Sequence, residues 1–157
     1  MNFRNRCLVV CALWVGMTAS AQTAPPVAGS AEPVGRVKTL RGQATIRTQT
    51  QTVEAAVGTP VYLGSEIRTG KDASLGLTFK DSTVLSLGAD TRLTVDEYVY
   101  DPNQGQYKFG ANLGKGALNY ISGAIAKARP EAVSVKTPGA VIGVRGTHFV
   151  VKAEEEQ

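Results

Sequence analysis

The usual side-chain plans for catalysis need parts that this chain of 157 residues lacks. Its single histidine is His148 and its only cysteines are Cys7 and Cys11, both within an N-terminal segment that reads as removable. A cysteine–histidine nucleophile and a multi-histidine metal site therefore have no second member. A serine–histidine–aspartate triad would have to use His148. In Thr147-His148-Phe149-Val150-Val151, strand alternation turns Phe149 and Val151 inward and His148 outward, where an imidazole is an ordinary surface group.

Carboxylates are the remaining candidates for acid–base work, and Asp81, Asp90, Asp96, Glu97 and Asp101 are the ones spaced for it. Asp81 and Asp90 sit among turn residues, where a carboxylate accepts backbone hydrogen bonds. Asp96, Glu97 and Asp101 offer oxygen ligands for calcium but lack a recognisable calcium-loop spacing. Gly143-Val144-Arg145-Gly146-Thr147 lacks the Gly-Lys-Ser/Thr ending of a phosphate-cradling loop and reads as a glycine-mediated bend entering the last strand. Neither a catalytic residue nor a cofactor or metal site is expected.

Binding chemistry is better supplied. Arg145 lies near two glycines, so its guanidinium fork can reach a carboxylate on this chain or on a partner. Thr147 follows in the same segment. Tyr98 and Tyr100 share a strand face near Tyr107 and Phe109, which makes either a half-exposed aromatic strip for a protein or glycan, or packing across a hairpin.

These residues must be positioned by strands. From Val34 to Val151, short apolar runs are broken by turn residues such as Arg41-Gly42, Gly58-Thr59-Pro60, Lys80-Asp81-Ser82 and Asp101-Pro102-Asn103. Alternation puts Ala44 and Ile46 on one face, and likewise Leu75, Leu77 and Phe79, and Leu93 and Val95. A hexad runs through Gly58, Gly64, Gly70, Gly76, Ser82 and Gly88. Val61, Ile67, Ala73, Phe79 and Leu85 follow these markers in register, and Leu63, Thr69, Leu75, Asp81 and Leu87 fall two positions further on. The spacing suits stacked strands of a β-solenoid or a run of ordinary hairpins. The one helix candidate spans Asn119 to Arg129, weakened by Gly123 and by missing caps.

Arg4 and Arg6, the apolar run Cys7 to Met17, and the small residues Ala19 and Ala21 form the pattern of a secretory signal cleaved after Ala21. The apolar run is about half the 20 or so residues that a membrane-spanning helix needs. Removing residues 1–21 takes away two bases and no acid, leaving 15 basic against 13 acidic residues, a net charge of +2. With 19% charged and 6% aromatic residues, little is left for an electrostatic footprint or base-stacking platform, so no nucleic acid is expected as partner. Residues 22–33 read as an Ala/Pro-rich linker, 34–151 as a β domain and 152–157 as an acidic tail.

Val34-Gly35-Arg36-Val37, Leu63-Gly64-Ser65-Glu66-Ile67-Arg68-Thr69-Gly70, Leu75-Gly76-Leu77-Thr78-Phe79, Leu113-Gly114-Lys115-Gly116-Ala117-Leu118 and Val135-Lys136-Thr137-Pro138-Gly139-Ala140-Val141-Ile142-Gly143-Val144-Arg145-Gly146-Thr147-His148-Phe149-Val150-Val151 follow one another in this order. From Val34 to Val151 this order of motifs resembles the periplasmic FecR domain. It implies a periplasmic sensing or interaction module. In the best-known members a cytoplasmic segment controls a sigma factor, one helix crosses the inner membrane and the periplasmic part receives a signal from an outer-membrane transducer. This chain is expected to have no transmembrane segment after processing, so only the periplasmic module carries over.

The expectation is thus an all-β domain, a β-roll or short solenoid-like sandwich of many short strands, exported to the periplasm or secreted. No enzymatic activity is expected. Its expected partner is an inner- or outer-membrane signalling component, reached by strand addition or through the Tyr98/Tyr100 face, with Arg145 and Thr147 as further candidate contacts. Peptidoglycan or another envelope glycan is the alternative ligand.

Overall fold

The computed structural model of the chain describes residues 32–145 and 148–154; Ala19, Ala21 and Thr147 lie outside them. Strands hold 59% of the described residues and helix 7%, so the protein is all-β, with a curled and mainly antiparallel sheet. In chain order the strands are β1 (Gly35–Arg41), β2 (Ala44–Arg47), β3 (Thr52–Glu54), β4 (Pro60–Val61), β5 (Glu66–Thr69) and β6 (Ser74–Phe79). Then come β7 (Val84–Leu87), β8 (Arg92–Asp101), β9 (Gln106–Ile121), the helix α1 (Ala124–Ala128), a 3₁₀ turn (Pro130–Ala132), β10 (Val133–Thr137), β11 (Ala140–Gly143) and β12 (His148–Ala153).

Successive strands are dealt into two halves of the sheet. One half holds β1, β4, β6, β7 and β12, the other β2, β3, β5, β8, β10 and β11. The 16-residue β9 belongs to both. Its first part lies between β8 and the parallel β10, and its last part between β7 and β12. Inward residues of the two halves form one core, in which Ile46, Ile67, Leu77, Leu85, Leu93, Leu113 and Leu118 are fully buried. Alternation decides which side chains enter it: Ala44 and Ile46 are buried while Thr45 and Arg47 are exposed.

The halves meet along a row of corners, and two buried threonines bind that seam. Thr69 Oγ1 donates to the Gly88 carbonyl at 2.6 Å and accepts from the Thr91 N–H at 2.9 Å. Thr91 Oγ1 accepts from the Ala117 N–H at 3.1 Å. Where β9 turns the corner, Gly116 has φ +95°, a left-handed conformation that favours glycine, and a β-carbon there would run into the Thr91 side chain.

The hexad is written into these corners and hairpins rather than into coils of parallel strands. Val61, Ile67, Ala73, Phe79 and Leu85 are all buried, as their register predicts. The marker positions serve different ends: Gly58, Gly64 and Ser82 have positive φ, whereas Gly76 lies within β6. A β-carbon at Gly76 would meet the Thr39 hydroxyl of the adjacent β1. Of the second set, Leu63 departs from the pattern and is exposed. The helix is also shorter than the Asn119–Arg129 expectation. Residues up to Ile121 finish β9, where Tyr120 is fully buried in the core.

Candidate functional site

The buried carboxylate of Asp81 organises one end of the domain. It sits in the β6–β7 turn, where Oδ1 accepts from the Thr83 N–H at 3.3 Å and Oδ2 from the Thr83 hydroxyl at 2.6 Å. Its reach extends to α1, because Oδ2 also accepts from the Ile125 N–H at 3.3 Å and the Asp81 carbonyl accepts from the Ala124 N–H at 2.7 Å. Asp81 thus supplies from the far turn the N-terminal cap that α1 lacks locally. The helix leads directly into Pro130–Ala132, so the anchor also fixes where Pro130 and Glu131 stand.

Tyr98 closes the same network. Its O–H donates to Asp81 Oδ1 at 3.1 Å, and its oxygen accepts from the Asp81 N–H at 3.0 Å. Burial, with the adjacent Asp81 carboxylate second, pushes the phenol well above the usual tyrosine range. Uninterrupted alternation from Leu93 and Val95 would turn Tyr98 to the opposite face. A bulge between Val95 and Glu97 resets the pleat and brings Tyr98 to the core side. There it heads an aromatic run: Tyr98 against Phe79 at 5.6 Å, Phe79 against Phe109 at 5.2 Å, Phe109 against Tyr120 at 5.8 Å and Tyr120 against Phe149 at 4.8 Å. Tyr100 lies opposite Tyr107 across the hairpin, their rings 6.2 Å apart. Both tyrosines are half-buried, and Tyr98 is tied to Asp81.

Arg145 is placed differently. A cross-strand row runs from Tyr98 through Phe109 to Val133, and the Val144 N–H donates to the Val133 carbonyl at 3.3 Å. Val144 is buried at the end of this row, and the next residue, Arg145, is exposed. It lines a surface cleft of about 460 Å³ together with Pro130, Glu131, Gly143 and Val144. One wall is therefore the turn that Asp81 anchors through α1, and the other is the end of the β10–β11 hairpin. Arg145 makes no ion pair or side-chain hydrogen bond among the described residues.

The FecR protein family matches residues 65–157, more than half of the chain. The chain belongs to the FecR family. This is a family of envelope signalling and sensing proteins, and no helix among the described residues is long and apolar enough to cross a membrane. No curated protein and no solved structure matches the chain.

In this FecR chain the acidic residues Asp90, Glu97 and Asp101 are engaged with neighbouring groups. Asp101 Oδ1 accepts from the N–H groups of Asn103 and Gln104 at 3.0 and 3.1 Å, Glu97 pairs with Lys108 at 3.0 Å and Asp90 with Lys115 at 2.9 Å. Among the described residues no group of acidic, histidine or cysteine side chains is gathered that could hold a metal ion. His148 is exposed, as alternation predicts, and is hydrogen-bonded to Asn119 at 2.6 Å. The Asp81–Tyr98 pair and the Thr69–Thr91 seam were not foreseen. The Asp81-Ser82-Thr83 triplet announces a carboxylate in a turn, but its partners come from strands and a helix distant in sequence.

Proposed function

We propose that this chain is a non-catalytic FecR-type module, exported to the bacterial periplasm, that binds a protein component of an envelope signalling system. Arg145 carries the reading. An exposed guanidinium with no ionic partner among the described residues, on the lip of a cleft whose wall is anchored by a buried hydrogen-bond network, is preorganised for a carboxylate arriving from outside. Membership of a signalling family supports the same reading, with the partner an inner- or outer-membrane protein.

Affinity capture from detergent-solubilised envelopes tests it, with the full chain as bait, Arg145→Ala as control and mass spectrometry as readout. One enriched envelope protein, lost with Arg145→Ala, is the expected result. No protein above background would defeat the protein-partner reading, and retention of the chain on purified cell-wall material in the same extract would redirect it to a glycan.

A further inference from the structure

The sheet has free edges at β3, β4, β11 and β12 among the described residues, and their sequences differ in how they discourage a further strand. β3 has three residues and carries Glu54; β4 has two and begins with Pro60; β12 carries His148 and Lys152. Short length, proline and charge are the ordinary protections of an edge. β11 carries neither charge nor proline and, at four residues, is longer than β3 and β4. Its sequence is Ala140-Val141-Ile142-Gly143, free of charge and proline, and Val141 is 69% exposed.

Register shows which backbone groups β11 leaves open. Val144 donates to Val133, Ile142 lies opposite Val135, and Ala140 lies opposite Thr137. These alternate residues turn their N–H and C=O groups toward β10, so those of Val141 and Gly143 point to the free edge. Gly143 has open space where a β-carbon would be, which lets another backbone approach closely. The strand ends at the Arg145 cleft. From Ala124 to Arg145 the charged residues are Lys127, Arg129, Lys136 and Arg145 against the single acid Glu131, and all four cations are exposed without an ion pair among the described residues.

We infer that β11 is a docking edge for an extended acidic segment of a partner protein, which adds as a strand through the backbone of Val141 and Gly143 and places a carboxylate on Arg145. The inference rests on the protein-partner reading above and specifies how the partner is held. Strand addition supplies affinity through main-chain bonds, and the cations supply the choice of an acidic chain. A second copy of this chain would bring Lys136 and Arg145 toward like charges, which disfavours self-pairing at this edge.

Two synthetic peptides serve as probes, one alternating Asp with Val over eight residues and one alternating Lys with Val. In ¹⁵N spectra of the full chain, the acidic peptide is expected to shift the Val141 and Gly143 amides, and the basic one to leave them in place. Arg145→Ala should weaken the acidic peptide about tenfold. Val141→Pro removes a free-edge N–H without touching the β10 ladder and should abolish the shifts. Gly143→Pro removes the other, and agreement between the two guards against a fold defect in either.

No shift at these amides with the acidic peptide at millimolar concentration would overturn the inference, as would shifts that survive both proline variants. Shifts of the same amides with protein concentration alone would assign the edge to a second copy. In the capture experiment, an envelope protein retained by Val141→Pro would remove β11 as the docking edge while leaving the protein-partner reading intact.

Discussion

Tyr98 and Asp81 each give the other a hydrogen bond. The Tyr98 O–H donates to the carboxylate at 3.1 Å while the Asp81 N–H donates to the phenol oxygen at 3.0 Å. Asp81 is 2% exposed, and through it the pair reaches α1 and the turn that forms one wall of the Arg145 cleft. The wall that faces a surface cation is thereby positioned by a buried polar network.

Tyr98→Phe keeps the ring in the aromatic run and deletes only the hydroxyl. It leaves the buried Asp81 N–H without its acceptor, so the expected loss is about 1 to 3 kcal/mol of unfolding free energy. Urea titration with an unchanged slope checks this. A loss under a few tenths of a kcal/mol would mean that water replaces the phenol.

The same tyrosine sets an alkaline limit. Its folded-state pKa lies above the ordinary 10.0, so the folded state holds a proton that the unfolded state releases. This contribution is fully present below pH 10.0 and is lost as pH rises toward the folded value. Buried Tyr120 is shifted the same way and adds to the fall. Stability measured between pH 9 and 11, roughly the span around a free phenol's titration, should decline less steeply in Tyr98→Phe than in the parent.

Gly116→Ala attacks the corner of β9. The φ of +95° is strained for any residue with a β-carbon, and the added methyl meets Thr91 in the seam. The expected cost is about 2 to 4 kcal/mol, read as a lower urea midpoint. Gly139→Ala, where a β-carbon meets nothing within 4 Å, should be tolerated and serves as control.

Asp90 tests the surface electrostatics of the same corner. A hydrogen bond and charge attraction from Lys115 hold its carboxyl below the ordinary 3.8. A depressed carboxyl stabilises the folded state above the unfolded pKa, and that contribution is lost as pH falls through the folded one. Lys115→Met should raise the Asp90 midpoint in an NMR titration. High salt should narrow the difference, since the pair is exposed.

The strands were legible in the sequence because alternation is local. Leu75, Leu77, Phe79, Leu93 and Val95 are buried where period two puts them. The hexad marked inward positions correctly except at Leu63, which follows β4 into a loop. Its markers do not separate corners from hairpins, because a glycine or serine with positive φ serves both.

What could not be read were events set by distant partners. The bulge beside Asp96 has no glycine or proline to announce it, yet it moves Tyr98 to the core side. Arg145 was legible as a reaching cation. The cleft around it depends on Pro130 and Glu131 being carried there by α1, and on Asp81 holding that helix across 44 residues of sequence.

Photo-crosslinking in living cells reads out directly whether a partner sits at the Arg145 cleft. A benzophenone amino acid replaces Arg145 or, as control, Gln49 at the β2–β3 turn on the opposite edge of the same half. Because replacing Arg145 removes its charge, the probe is also placed at Gly143 on the cleft wall. A crosslinked envelope protein is expected from the cleft positions and none from Gln49. No crosslink from Gly143, or an equal one from Gln49, would rule out a partner docked at this cleft.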